Sequence, residues 1–239
     1  MTDCKVCSVL VVLGRDAGRG SANPVEMCDG FARKYGEVGT LRVIAGRLRG
    51  RRLARVADGV RPTSDRVRES VFARLGQPPG VHVLDLFAGT GSLGIEALSR
   101  GAESLVSVDR SKKVVAALRQ TLEELEIAHQ ARVLSMEARG AIRRLCKSGE
   151  RFDLVFVDPP YDDVEATARV LGVLAGSGLL APDAVVVVEC ATRNSIPSIP
   201  GLVARDERVY GDTLVRWLTP EPRTRAGPSE DRSGGAARR

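Results

Sequence analysis

Between positions 81 and 218, short continuous apolar runs alternate with stretches whose apolar residues recur every three or four positions. The short runs, 81–87, 105–109, 131–134, 154–158 and 185–189, are rich in valine and leucine, the pattern of strands covered on both faces. A helix is predicted after the first run through Ile95 and Leu98, and another by Val115, Leu118, Leu122 and Leu125, with Ser111 as its N-cap. Ala138, Ile142 and Leu145 repeat the spacing, as do Val164, Ala168, Leu171 and Leu174. Such alternation predicts an α/β fold, doubly wound and Rossmann-like, around a mostly parallel sheet. Runs 208–210 and 214–218 flank Gly211-Asp212 and predict a hairpin at an antiparallel edge, which brings the sheet to seven strands.

Upstream the pattern changes. Segments 41–45 and 51–56 read as two short strands joined through Gly46 and Gly50, and 66–75 as a helix with its cap in 63–65. The expected organisation is a disordered extension over 1–38, a basic hairpin and helix over 39–76, a main domain over 77–218, and a disordered tail over 219–239 rich in Pro, Gly, Ser and Arg. Met27 is a candidate alternative start.

Charge sharpens this division. The whole chain of 239 residues carries 36 basic and 30 acidic side chains, net +6. Residues 41–75 hold ten arginines against three acids, net +7, whereas 76–218 hold 16 against 19, net −3. So concentrated a block is the footprint of a polyanion partner. Arg42, Arg47, Arg49, Arg51, Arg52, Arg55, Arg61 and Arg66 are the candidate phosphate contacts. No apolar run reaches the roughly 18 residues of a membrane span. The five cysteines have no framework spacing, and Cys4-x-x-Cys7 lacks nearby partners for a tetrahedral metal, so reduced thiols and no metal are expected.

Two turns carry candidate chemistry. The first strand runs into Asp85-Leu-Phe87-Ala88-Gly89-Thr90-Gly91-Ser-Leu-Gly94. Glycines there allow a tight turn and close approach of a ligand to the main chain, and the following helix offers its N-terminal amides. The motif suits any nucleoside cofactor as well as a close-packed turn without a ligand. Asp109, eighteen residues past Gly91, ends the second strand where a carboxylate can accept from ribose hydroxyls. Arg110 follows it, and Glu137-Ala138 after the third strand is a weaker candidate for an adenine amino group. The fourth strand ends in Asp158-Pro159-Pro160-Tyr161. Two prolines remove two amide donors, leaving the Asp158 carboxylate and the Pro159 carbonyl as acceptors beside an aromatic ring. That set suits a planar amino group on a stacked ring.

Segments 85–94 and 158–161 with Asp109 resemble the motifs of S-adenosylmethionine-dependent amino methyltransferases of nucleic-acid bases. Segments 42–46 (RVIAG), 50–52 (GRR), 61–69 (RPTSDRVRE) and 210–213 (YGDT) narrow the resemblance to the RsmD family over about 41–218. That resemblance implies S-adenosyl-L-methionine as cofactor and transfer to the exocyclic N2 of a guanine in bacterial small-subunit ribosomal RNA. It further implies ribosomal RNA or a small-subunit particle as partner, and a cytoplasmic monomer without membrane or metal. Asp85, Phe87 to Gly91, Asp109 and Arg110 would hold the cofactor, with Glu137 and Ala138 at its adenine. Asp158, Pro159, Pro160 and Tyr161 would hold the base. The family often has a second acid two residues beyond its ribose carboxylate, where this chain has Ser111. Competing readings are another amino-base target such as adenine N6, a nicotinamide-dependent oxidoreductase, and a non-catalytic RNA-binding scaffold.

Overall fold

A computed structural model describes residues 41–53, 64–76, 79–159, 163–194 and 196–222. Arg55, Arg61, Pro160 and Tyr161, the extension 1–38 and the tail beyond 222 lie outside the described residues. In chain order the elements are α1 (Asp65–Leu75), β1 (His82–Leu86), α2 (Ser92–Ser99), β2 (Ser104–Asp109), α3 (Lys112–Glu124), β3 (Ala131–Ser135) and α4 (Ala138–Lys147). Then come β4 (Phe152–Val157), α5 (Val164–Gly176), β5 (Leu180–Ala191), β6 (Leu202–Tyr210) and β7 (Thr213–Pro220).

Among the described residues seven strands form one sheet in the order β3-β2-β1-β4-β5-β7-β6. The first five are parallel, and β7 runs antiparallel to both β5 and β6. This is the expected Rossmann-like arrangement. Its strand order reverses between β1 and β4, the place where open α/β sheets bind ligands beyond their carboxyl ends.

Side chains alternate across the sheet into two cores. Val83, Leu105, Leu154 and Phe156 face α1, α2, α3 and the segment 41–53. Leu84, Leu86, Val106 and Val155 face α4 and α5. α2 is buried on all sides, which only a short, mostly apolar helix tolerates. α3 starts at Ser111, whose hydroxyl accepts from the Val114 amide, as its spacing predicts. On α5 the buried set is Thr167, Val170, Leu171 and Leu174, so Val164 and Ala168 lie at the edge of the apolar stripe rather than in it.

Four expectations need correction. Strand β5 begins at Leu180, five residues before the predicted run, and ends at Ala191. The basic hairpin forms a single antiparallel bridge, Arg42 to Arg52, rather than two strands. Val43 still exchanges backbone hydrogen bonds with Arg51 and Gly50, but the glycine turn curls away to pack on α2 instead of extending the ladder. Next, β6 begins at Leu202, six residues before the predicted run. Its Arg205, Asp206, Glu207 and Arg208 give an edge strand charged side chains, a pattern that hides it from hydropathy while guarding it against edge pairing. Finally, β7 runs to Pro220, past the expected end at 218.

Candidate active site and nucleic-acid surface

Leu86 pairs with Val108 on one side and Val157 on the other. The residues that follow these three, Phe87, Asp109 and Asp158, therefore emerge from one rim of the sheet. Met136 joins them, its amide donating to the Asp109 carbonyl at 3.0 Å. Glu137 and Ala138 then open α4 at the same rim.

The glycine turn is shaped by two distinct demands. Phe87 and Ala88 both donate to the Val108 carbonyl, at 3.0 and 2.9 Å, tying the turn to β2. This places Phe87 at φ 84°, a left-handed conformation costly for an aromatic residue and typical of functional turns. Gly91 caps α2 at φ 75°, and a Cβ there would stand 2.3 Å from a Leu118 methyl. A Cβ on Gly94 would meet both Leu105 methyls at 2.8 Å. Hence Gly91 and Gly94 serve close packing of α2 on the sheet; the N-cap Gly91 offers no side-chain cap and the first turn holds no acid, while the Gly94 amide is taken by the Asp85 carboxylate from below. The other amides of this helix start favour an anionic ligand group.

Asp109 ties this loop together. Its Oδ2 accepts from the Gly89 amide at 3.1 Å and its Oδ1 from the Ser111 amide at 2.8 Å. Each oxygen keeps a further lone pair, so the carboxylate can still accept from a vicinal diol. Asp85 takes a different place from its neighbours: it lies beneath the turn with 1% exposure, its Oδ2 accepting from the Gly94 amide at 3.2 Å. Burial pushes its carboxyl up to about 7; the Gly94 hydrogen bond opposes that rise, and the charge of Asp109 adds to it. Asp85 thus supports the turn from below. Arg110 and Glu137, both exposed at the rim, approach to 3.9 Å. Asp158 is half-buried and Pro159 buried at the end of β4. Among the described residues no group of three or more His, Cys, Asp or Glu could hold a metal ion, and no helix is long and apolar enough to cross a membrane.

The arginine segment is brought only partly to this rim. Arg42, Arg47, Arg49, Arg51, Arg52 and Arg66 are all exposed. Arg66 lies in the first turn of α1, whose Ser70 hydrogen-bonds Tyr210 at the rim end of β6. The tip of the 41–53 segment lies at the opposite end, where the Arg47 amide donates to the Ser99 carbonyl at the close of α2. There the Arg47 side chain donates to Gln130, and the Arg51 guanidinium to the Glu124 carbonyl at 2.7 Å. These arginines therefore form a strip along one face rather than a ring around the rim.

Two buried charges that periodicity did not single out hold this segment in place. Glu96, on α2, accepts from the Ile44 amide at 2.7 Å, the Ala45 amide at 3.0 Å and the Arg100 Nε at 2.7 Å. Arg68, on α1, donates to the Arg42 carbonyl at 3.0 Å and to Asp65 at 2.6 Å. For Glu96 the signal was a lone acid inside the otherwise uncharged helix SLGIEALS, and Arg68 lies in the motif segment 61–69.

The family described as conserved hypothetical protein 95 matches residues 41–219. A ribosomal RNA small subunit methyltransferase D of Escherichia coli is 38% identical over 182 residues, covering 74% of this chain and 89% of that protein. Its namesake in Haemophilus influenzae is 36% identical over 156 residues, 63% of this chain and 79% of that one. Among solved structures, a provisionally named methyltransferase of Escherichia coli superposes with a TM-score of 0.68 at 33% identity, covering 77% of this chain and 99% of that one.

Proposed function

The chain belongs to the RsmD family, and from that premise we propose that it transfers a methyl group from S-adenosyl-L-methionine to the exocyclic N2 of a guanine in bacterial small-subunit ribosomal RNA. The relatives named as small-subunit ribosomal RNA methyltransferases support the substrate class. The observation that carries the reading is the register of β1 with β4, Leu86 beside Val157, which sets the glycine turn next to Asp158 and Pro159. A cofactor loop and a base-holding turn need that adjacency.

The chain's own groups fit the cofactor. The start of α2, with no acid in its first turn, suits a carboxylate, Asp109 has acceptor capacity for a ribose diol, and Glu137 and Ala138, at the opening of α4, would hold the adenine. When bound, S-adenosylmethionine supplies a methyl group made electrophilic by a sulfonium. The guanine must leave its stack to reach the rim, at a cost of a few kcal/mol. Its amino nitrogen is a weak nucleophile because its lone pair is delocalised into the ring. The Asp158 carboxylate and Pro159 carbonyl accept its two N–H bonds, which stabilises the developing positive charge and aims the nitrogen at the methyl carbon. Methyl transfer would be direct, the nitrogen–carbon bond forming as the sulfur–methyl bond breaks to leave a neutral thioether, with the proton passing to Asp158 or to water. Tyr161, which lies outside the described residues, stacks on the base. Arginine contacts to phosphates position the RNA without reading its bases. The protein acts in the cytoplasm as a monomer, on ribosomal RNA or a small-subunit particle.

The test is Asp158→Ala. The variant should bind S-adenosylmethionine as the wild type does and lose most turnover; near-normal methylation would remove Asp158 from the mechanism.

A further inference from the structure

The arginine segment and α1 cover one face of the sheet, yet α4 on the other face is also strongly basic. α4 reads ARGAIRRLCK, with four cationic side chains and no acid. Ala138, Ala141, Ile142 and Leu145 are buried against the sheet, while Arg139, Arg143, Arg144 and Lys147 are exposed. None of these four has an ion pair or side-chain hydrogen bond among the described residues.

Helix energetics do not account for this arrangement. Arg144 and Lys147 sit in the last turn, where the helix dipole favours cations. Arg139 sits in the first turn, where the dipole opposes one, and the acid at the N-cap, Glu137, is paired with Arg110 rather than with it. Arg139, Arg143 and Lys147 are spaced i, i+4, i+8, so like charges adjoin along one line of the surface, which costs the helix stability. Gly140 costs it more, since glycine is a poor helix former. Packing does not demand that glycine, because a Cβ at position 140 would have nothing within 4 Å. What Gly140 does provide is a flat place between Arg139 and the Arg143-Arg144 pair, open to close approach of a chain.

We propose that the exposed face of α4 is a second contact for the RNA phosphate backbone, on the side of the sheet opposite the arginine segment. The occupant follows from charge complementarity: a row of unpaired cations, about 6 Å apart per i, i+4 step along the axis, beside a bare glycine matches a polyanionic strand. α4 begins at the rim, directly after β3, so the row leads from the catalytic rim down the second face. The substrate then straddles the rim, held by Arg66 and the 41–53 strip on one face and by α4 on the other. The inference rests on the proposed RNA methyltransferase function and deepens it.

The experiment measures binding of a small-subunit ribosomal RNA fragment to the full chain by fluorescence anisotropy across a potassium chloride series. It compares wild type, Arg139→Gln/Arg143→Gln/Lys147→Gln, and Gly140→Glu. The triple variant should lower the slope of log affinity against log salt by about two to three, at unchanged affinity for S-adenosylmethionine. Gly140→Glu should weaken RNA binding while raising the thermal midpoint, because the new carboxylate replaces glycine and lies within reach of Arg143 and Arg144. A merely structural role would not separate those two readouts. An unchanged slope in the triple variant overturns the proposal while leaving the wild-type enzyme's RNA methylation intact. If the slope is unchanged and only association with protein-containing small-subunit particles is lost, the surface takes a protein and the RNA assignment falls. If wild type neither binds nor methylates RNA, the function itself fails, and this inference with it.

Discussion

Glu96 and Arg68 face each other at 3.8 Å across the seam between α2 and α1, both side chains without exposed surface. Glu96 also grips the backbone amides of Ile44 and Ala45, so the helix that follows the glycine turn is fastened to the basic segment. Buried ion pairs contribute little net stability over an apolar pair, but losing one partner strands the other's charge. Glu96→Ala should therefore destabilise the fold by about 3 kcal/mol or more. Urea unfolding measures this; a loss below about 1 kcal/mol, the range of exposed pairs, contradicts the role.

The raised pKa of Asp85 has a signed consequence. Between the ordinary carboxylate value of 3.8 and about 7, the folded chain holds a proton that the unfolded chain has released. Stability from this group therefore declines as pH rises through that window. Asp85→Asn should flatten the decline in thermal midpoint between pH 4 and pH 7. Parallel pH profiles for the two proteins would contradict this account.

Asp109 organises the Gly89 and Ser111 amides and is the proposed ribose acceptor. Asp109→Ala should weaken cofactor binding by about 10- to 100-fold, the worth of hydrogen bonds to a charged group. Isothermal calorimetry reads it directly. An unaltered dissociation constant would assign Asp109 to loop structure alone.

Arg49, Arg51 and Arg52 are exposed on the 41–53 segment. Replacing all three by alanine should weaken RNA binding and reduce its salt slope by about two to three, while leaving cofactor affinity intact. A slope equal to that of wild type would take the segment out of the RNA contact.

The parallel strands were legible as continuous apolar runs because both their faces are covered, and the helices other than α2 because each buries one side that its spacing reveals. Ser111 could be assigned as a cap for the same local reason. What escaped depends on tertiary context. β6 carries charge where an edge strand needs it, so its first six residues resemble loop. Glu96 and Arg68 are charged yet buried, and only the packing of α1 on α2 reveals it. Asp85 reads as a cofactor ligand from its motif, yet it lies beneath the turn. The arginine cluster was plain in composition, but sequence does not say that its tip lies beside Ser99, at the end of the sheet opposite the rim.

Methylation of a guanine amino group can be read without an intermediate step by mass spectrometry of nucleosides. Unmodified small-subunit ribosomal RNA, free or assembled into particles, is incubated with the protein and S-adenosylmethionine, then digested to nucleosides. N2-methylguanosine should rise with the wild-type protein and stay at a small fraction of that level with Asp158→Ala. A gain of N6-methyladenosine instead, or no methyl gain on either substrate, would contradict this expectation.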